Sequence, residues 1–170
     1  MKNGHLFLVG FMGSGKSTVA ALVAARTGRP CVELDAAIEQ RAGRSISELF
    51  SVDGEERFRE LESEELACLD RLAPSIVATG GGTYLSAANR RRMRRSGVTV
   101  WLDVPLEETR RRIGDGEGRP LWRQADPVAF RAFFERRRAC YALADYRFLT
   151  REKTPRTVAI DVFKRFEGIF

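Results

Sequence analysis

Histidine and cysteine are both scarce. One histidine and three cysteines stand among 170 residues. Cys31, Cys68 and Cys140 are far apart, odd in number and in no metal-ligand spacing. A disulfide framework is therefore excluded, and a reducing, cytoplasmic setting is expected. His5 precedes the first strand and reads as a strand-edge residue without a role. Long apolar runs are also missing, since none approaches the roughly 20 residues of a membrane span. The lysine and apolar run at the start resemble a signal peptide, but GSGKST interrupts that run at once, so no leader and no membrane partner are expected. Internal repeats, low-complexity tracts and linkers are absent as well. The expectation is a single domain over 1–170, with an ordinary globular balance of 44% hydrophobic and 31% charged residues.

The net charge of +6 fits either nucleic acid or small phosphorylated or carboxylated ligands, both of which call for arginine. The densest basic run, RRRMRR at 90–95, has no interleaved aromatics. It reads as a solvated helix face, and no nucleic-acid partner is expected.

What the chain does have begins at its N-terminus with HLFLVGFMGSGKS. Gly10, Gly15, Lys16 and Ser17 fit G-x-x-x-x-G-K-[ST], the phosphate-binding loop. Glycines let the backbone turn tightly and aim successive N–H groups at phosphate oxygens. The helix beginning near Lys16 directs its positive end to the same place. In such a loop the lysine reaches the β- and γ-phosphates and the Ser17 hydroxyl ligates Mg²⁺. The surroundings agree, with an apolar strand at 6–9, helical spacing of Val19, Leu22 and Val23, and a C-cap at Gly28.

A second strand at 31–34 ends at Asp35, which stands either at a ligand crevice or as a helix N-cap. Ser45-Ile-Ser-Glu48 fits a capping box. A long helix at 55–72 turns Phe58, Leu61, Leu69 and Leu72 inward and sets Arg59 beside Glu62, three residues on. A third strand at 75–79 runs into Gly80-Gly81-Gly82. Three glycines exceed what a turn needs and imply a close approach to the backbone, most simply by a ligand. A helix at 86–95, a strand at 98–102 and a helix at 105–113 follow. GDGEGRPLW at 114–122 reads as a closing lid carrying Arg119, since a kinase must exclude water. A helix from 126 buries Phe130, Phe133 and Phe134 and carries Arg136, Arg137, Arg138 and Tyr141. A strand at 146–150 and a helix at 155–166 close the chain. The alternation gives a five-stranded, mostly parallel sheet with helices on both faces.

Together these motifs resemble the shikimate kinases, in the nucleoside-monophosphate-kinase-like branch of P-loop proteins. GFMGSGKST, Asp35 with Ile38-Glu39 and Gly43, the run from Ile46 to Glu62, the triple glycine, Arg119-Pro120-Leu121, and Arg137 with Tyr141 carry the likeness over nearly the whole chain. The resemblance implies a three-layer α/β/α P-loop fold, with a substrate-binding helical region at about 35–62 and a lid at about 114–124. It implies transfer of the ATP γ-phosphoryl group to the 3-hydroxyl of shikimate by a cytoplasmic monomer. Lys16, Asp35 and Arg119 would be catalytic. Gly13, Ser14, Gly15, Lys16, Ser17, Thr18, Arg112 and Arg119 would hold ATP. Asp35, Arg59, Gly81, Gly82 and Arg137 would hold shikimate, with Glu62 positioning Arg59. Ser17 would bind Mg²⁺, with Glu33 supporting it through water. The chain departs from the family pattern in having Glu33 for an aspartate, Ala139-Cys140 for Pro-Leu and Trp122 for a leucine. Counting back four from Tyr141 selects Arg137 from the three arginines. Rival readings are a related small-molecule kinase such as a gluconate kinase, and a non-catalytic ATP-binding regulatory protein.

Overall fold

Every side chain of β1 (His5–Val9) is buried, so this strand must be covered on both faces. A computed structural model of the chain describes residues 4–113 and 126–167. After β1 come α1 (Lys16–Thr27), β2 (Cys31–Glu33), α2 (Leu34–Ala42), α3 (Ile46–Val52) and α4 (Gly54–Cys68). Then follow β3 (Ile76–Ala78), α5 (Ala87–Ser96), β4 (Gly97–Asp103) and α6 (Leu106–Ile113). The order closes with α7 (Pro127–Tyr141), β5 (Tyr146–Leu149) and α8 (Pro155–Phe166). Short 3₁₀ turns stand at Leu69–Arg71 and Thr83–Leu85. The strands form one parallel sheet in the order β2-β3-β1-β4-β5, as the alternation of elements predicts.

Alternate residues of β1 serve opposite layers. Leu6 and Leu8 pack with Val19 and Val23 of α1 and Val158 and Val162 of α8. Phe7 and Val9 pack on the other face with Leu66 of α4, Met93 of α5 and Phe130 and Phe134 of α7. A smaller core of Leu34, Ile38, Leu49 and Phe58 joins α2, α3 and α4. The Ser45 capping box closes as its residues predict: the Ser45 hydroxyl accepts from Glu48 N, and the Glu48 carboxylate accepts from Ser45 N at 2.8 Å.

Some boundaries differ from the sequence expectation. The helix expected over 55–72 ends as α-helix at Cys68, and Leu72 is half exposed. The reason is a 3₁₀ turn that buries Leu69 and leads the chain toward β3. The basic run on α5 is not simply solvated. Arg90 donates to the Tyr84 and Leu85 carbonyls at 2.8 Å each, Arg92 pairs with Asp70, and Arg94 donates to the Leu143 carbonyl at 2.8 Å.

His5 is the clearest correction, because it is buried and joins two elements. Its Nε2 faces the Leu69 carbonyl at 3.0 Å, and its Nδ1 accepts from Ser75 N at 3.1 Å. The Ser75 N–H requires a lone pair on Nδ1, which fixes the neutral Nε2–H tautomer. Burial lowers the ring's pKa from 6.5; the Leu69 carbonyl and Asp70 oppose that shift, and Arg29 adds to it. A depressed folded-state value means stability that is present above pH 6.5 and lost as pH falls through the lower value. His5→Gln is expected to cost about 1 kcal/mol at pH 8. The gap from wild type should narrow at pH 5. Urea unfolding at the two pH values measures both effects.

Candidate active site

The carboxyl ends of β1, β2 and β3 open onto one cavity of about 720 Å³, a volume suited to small-molecule ligands. One end is the phosphate loop. Gly10, at φ 144°, lies so close to the Leu102 carbonyl that a Cβ would come within 2.8 Å of it. Gly15, at φ 87°, precedes α1, whose first turn has neither a side-chain cap nor an acid. Its unpaired N–H groups and positive dipole end therefore remain available to an anion. Lys16 Nζ spans the loop and donates to the Gly10 and Phe11 carbonyls at 3.0 Å each.

Gly13, Gly15, Lys16, Ser17, Thr18 and Arg112 all line this end. Arg112 donates to the Gly13 carbonyl at 3.3 Å and pairs with Glu108. Ser14 is the exception among the expected nucleotide contacts. Its side chain is buried away from the cavity wall, near Gly10. The Ser17 hydroxyl donates to Glu33 Oε2 at 2.9 Å, so a hydroxyl and a carboxylate stand together beside the loop. Hard oxygen donors of this kind suit a divalent cation bound with phosphates, and the longer glutamate still reaches Ser17.

The other end is built by the small lobe. Asp35 lies inside the first turn of α2 and is not its N-cap, a position Glu33 occupies. The fully buried Leu34 draws the chain into helix one residue earlier than the apolar run implies. Asp35 Oδ1 is buried and accepts no hydrogen bond from the described residues. Its carboxyl pKa is pushed up to about 6, chiefly by burial. Lys16 pulls the other way, and the carboxylates of Glu62, Glu33 and Glu39 add to the rise.

Arg59, on α4, pairs with Glu62 at 2.5 Å and Glu55 at 2.8 Å. Burial alone would lower its pKa, but Glu62 and Glu55 together reverse that and raise it. Glu62 is 1% exposed and also accepts from Thr83 Oγ1 at 2.6 Å. The Arg59–Glu62 pair is thus a half-buried, fully oriented ion pair rather than a surface one.

The glycine loop explains itself in part through the chain's own side chains. A Cβ at Gly80 would lie 2.6 Å from both Asp35 Oδ1 and Glu62 Oε1, and one at Gly82 would overlap the Arg59 guanidinium. Gly81 has more room, with Arg137 Nη1 at 3.6 Å and Met12 N at 3.8 Å.

The three arginines of α7 point in three directions, as the roughly 100° step per residue requires. Arg136 is exposed. Arg138 pairs with buried Asp103 at 3.2 Å. Arg137 is 7% exposed and lines the cavity, with its guanidinium 4.1 Å from the centre of the Phe133 ring. Burial lowers its pKa. Among the described residues, no carboxylate lies within ion-pair distance of it.

Arg119 and the lid expected at about 114–124 lie outside the described residues. One residue that matters here is not evident from the sequence, and a second is legible there only as the partner of Arg137. Thr83 holds Glu62, and Tyr141 donates to the Gly81 carbonyl at 2.5 Å. The i, i+4 spacing of Arg137 and Tyr141 is the one available signal for the second.

A family model described as shikimate kinase matches residues 12–167. A shikimate kinase of Persephonella marina is 37% identical, with 95% of this chain and 98% of that protein covered. One from Synechococcus sp. (strain RCC307) is 41% identical, with 97% and 85% covered. Among solved structures, the shikimate kinase of Acinetobacter baumannii in complex with shikimate superposes with a TM-score of 0.91 at 30% identity, covering 97% of this chain and 93% of that one. The enzyme of Aquifex aeolicus gives 0.86 at 34% identity, covering 96% of each. An APS kinase of Mycobacterium tuberculosis gives 0.59 at 20% identity and shares the fold. The phosphate loop, the paired arginines and these likenesses lead to one conclusion: the chain belongs to the shikimate kinase family.

Proposed function

We infer that this chain transfers the γ-phosphoryl group of ATP to the 3-hydroxyl of shikimate, using the residues that line the two ends of the cavity. The observation that carries the assignment of residues is a pair of buried polar groups, each lacking one natural partner. Arg137 has no carboxylate partner among the described residues, and Asp35 Oδ1 has no hydrogen-bond donor there. Burying a charge without a partner is costly. A ring that carries both a carboxylate and hydroxyls would supply both missing partners. Arg59 and Arg137 would grip the carboxylate with forked, charge-assisted bonds. The Gly81 and Gly82 backbone would receive the ring.

Asp35 would accept the hydrogen bond of the attacking hydroxyl. As the new O–P bond forms and the bond to the β-phosphate oxygen breaks, the hydroxyl proton would pass to the Asp35 carboxylate and ADP would leave. Lys16 would exchange its two loop carbonyls for phosphate oxygens. Gly13, Gly15, Ser17, Thr18 and Arg112 would surround the nucleotide, with Ser14 supporting the loop from behind. Ser17, with Glu33 behind it, would hold Mg²⁺, which would supply charge neutralisation for the transferred phosphoryl group. Arg119 is assigned to the transferred phosphoryl by the family resemblance alone.

The same proposal takes the enzyme as a cytoplasmic monomer of one domain, 1–170, acting on a small molecule without nucleic acid or membrane. All five described strands lie in a single sheet. The free cysteines suit a reducing compartment. Arg90, Arg92 and Arg94 are engaged with the chain's own groups, which leaves the basic run less to offer a polyanion.

The direct test is ADP release from MgATP with shikimate, quinate, gluconate, AMP or no acceptor. Release should depend on shikimate; equal release with gluconate or AMP would overturn the acceptor assignment.

Asp35→Asn should lower kcat by at least about 100-fold and leave ATP affinity within about twofold. It should also change stability with pH. A carboxyl raised from 3.8 to about 6 in the fold contributes stability that is present below pH 3.8 and lost as pH rises through 6. The variant should therefore melt a few degrees above wild type at pH 8 and level with it at pH 4, as read by thermal unfolding. Arg59→Lys should weaken shikimate binding by about tenfold or more and ATP binding far less, because an ammonium cannot make the fork; calorimetric titration of each ligand separates the two.

A further inference from the structure

We propose that Tyr141 is a positioning residue of the acceptor site: its hydroxyl fixes the Gly81 carbonyl beside Arg137, one helical turn away on the same face, and sets both before the acceptor arrives. This rests on the reading of Arg137 as a carboxylate-binding group.

Tyr141 is 1% exposed and is absent from the cavity wall, so it acts through other groups and not on the substrate. Its hydroxyl donates to the Gly81 carbonyl at 2.5 Å. Gly81 lies on the cavity wall, and a Cβ built on it would sit 3.6 Å from Arg137 Nη1 and 3.8 Å from Met12 N of the phosphate loop. Tyr141 follows Arg137 by one helical turn, which places the two side chains on the same face of α7. The positive charge of Arg137 lies close enough to the phenol to oppose the rise of its pKa. The hydroxyl spends its single hydrogen on the glycine loop. Burial keeps it protonated, its pKa being pushed up to about 12, so the donor persists across the working pH range.

The ring itself has little freedom. Its centre lies 6.3 Å from that of Trp101, and the Tyr141 carbonyl accepts from Ala144 N at 2.9 Å. Trp101 is in turn flanked by Arg138 and Arg147, both bonded to Asp103. Arg59 is held by two carboxylates, whereas Arg137 has none among the described residues. What borders Arg137 is the Phe133 ring, 4.1 Å from its guanidinium, and the glycine loop that Tyr141 fixes. Without that anchor the long side chain regains rotamers that the acceptor must freeze out on binding. The phosphate loop keeps its own bonds, from Lys16 to Gly10 and Phe11 and from Ser14 N to the Phe11 carbonyl, so the loss should fall on the acceptor alone.

Steady-state kinetics on the full chain test this with wild type, Tyr141→Phe, Arg137→Lys and the double variant. Tyr141→Phe should raise the KM for shikimate about tenfold. The KM for ATP should stay within about twofold and kcat within about threefold. In the Arg137→Lys background the same change should add less than about twofold, because the group it positions is gone. An unmoved shikimate KM, equal rises in both KM values, or full additivity in the double variant would each overturn the proposal. A second measurement needs no turnover. Guanidinium NMR of the acceptor-free wild type should show restricted rotation at Arg137, and Tyr141→Phe should release it. Free rotation in wild type would also overturn the proposal, even if the variant does not fold. A wild type without shikimate-dependent ADP release would instead defeat the functional reading, so the two failures are distinct.

Discussion

The structure depends on holding charge in places where water would ordinarily hold it. Arg137 is almost wholly buried without a carboxylate partner among the described residues, and Asp35 keeps a buried oxygen without a donor. Each is unfavourable in the isolated fold, and each becomes favourable once a ligand of the opposite character arrives. At the far end, α1 begins with no cap and no acid, a third charge-bearing feature left open. The cavity between them has an uncapped helix start at one end and Asp35 and Arg137 at the other.

The sheet makes this arrangement affordable. β1 is buried on both faces and anchors two cores, so the loops at the strand ends inherit a rigid base. Charge without a matching partner gathers there because the packing beneath holds the backbone in place. The small core of Leu34, Ile38, Leu49 and Phe58 holds α2, α3 and α4 to the rim. Glu62 is the joint between the parts. It orients Arg59, accepts from Thr83, and leaves no room for a Cβ on Gly80. Two of the three consecutive glycines are thus required by the protein's own side chains, and only Gly81 leaves room beside it.

What was legible in the sequence was local. The phosphate loop is a run of nine residues whose glycines, lysine and serine act on one another directly, and the strand–turn–helix around it followed from apolar spacing. The parallel sheet followed from the alternation of elements. What escaped depended on distant partners. His5 meets Leu69 and Ser75 across the sheet, and no pattern around residue 5 announces them. Glu62 was legible as the partner of Arg59, but its depth was not, because its burial comes with Thr83 and Gly80, on another element. The N-cap of α2 falls at Glu33 and not at Asp35, because Leu34 is buried and already helical, which nothing local announces. Arg137 was separable from Arg136 and Arg138 only by its spacing to Tyr141. The structure shows why that spacing works: Asp103, 35 residues away, takes Arg138 and leaves Arg137 to face the cavity.

The central claim is that the unpaired Arg137, together with Arg59, awaits a carboxylate. Calorimetric titration of shikimate against its uncharged carboxamide, with ATP absent, tests this most directly. Removing one partner of a buried charge pair costs at least about 2 kcal/mol, or roughly 30-fold in affinity. The account predicts at least that loss for the carboxamide in wild type, and a much smaller difference in Arg137→Met. Equal affinity of wild type for the acid and the amide would contradict it.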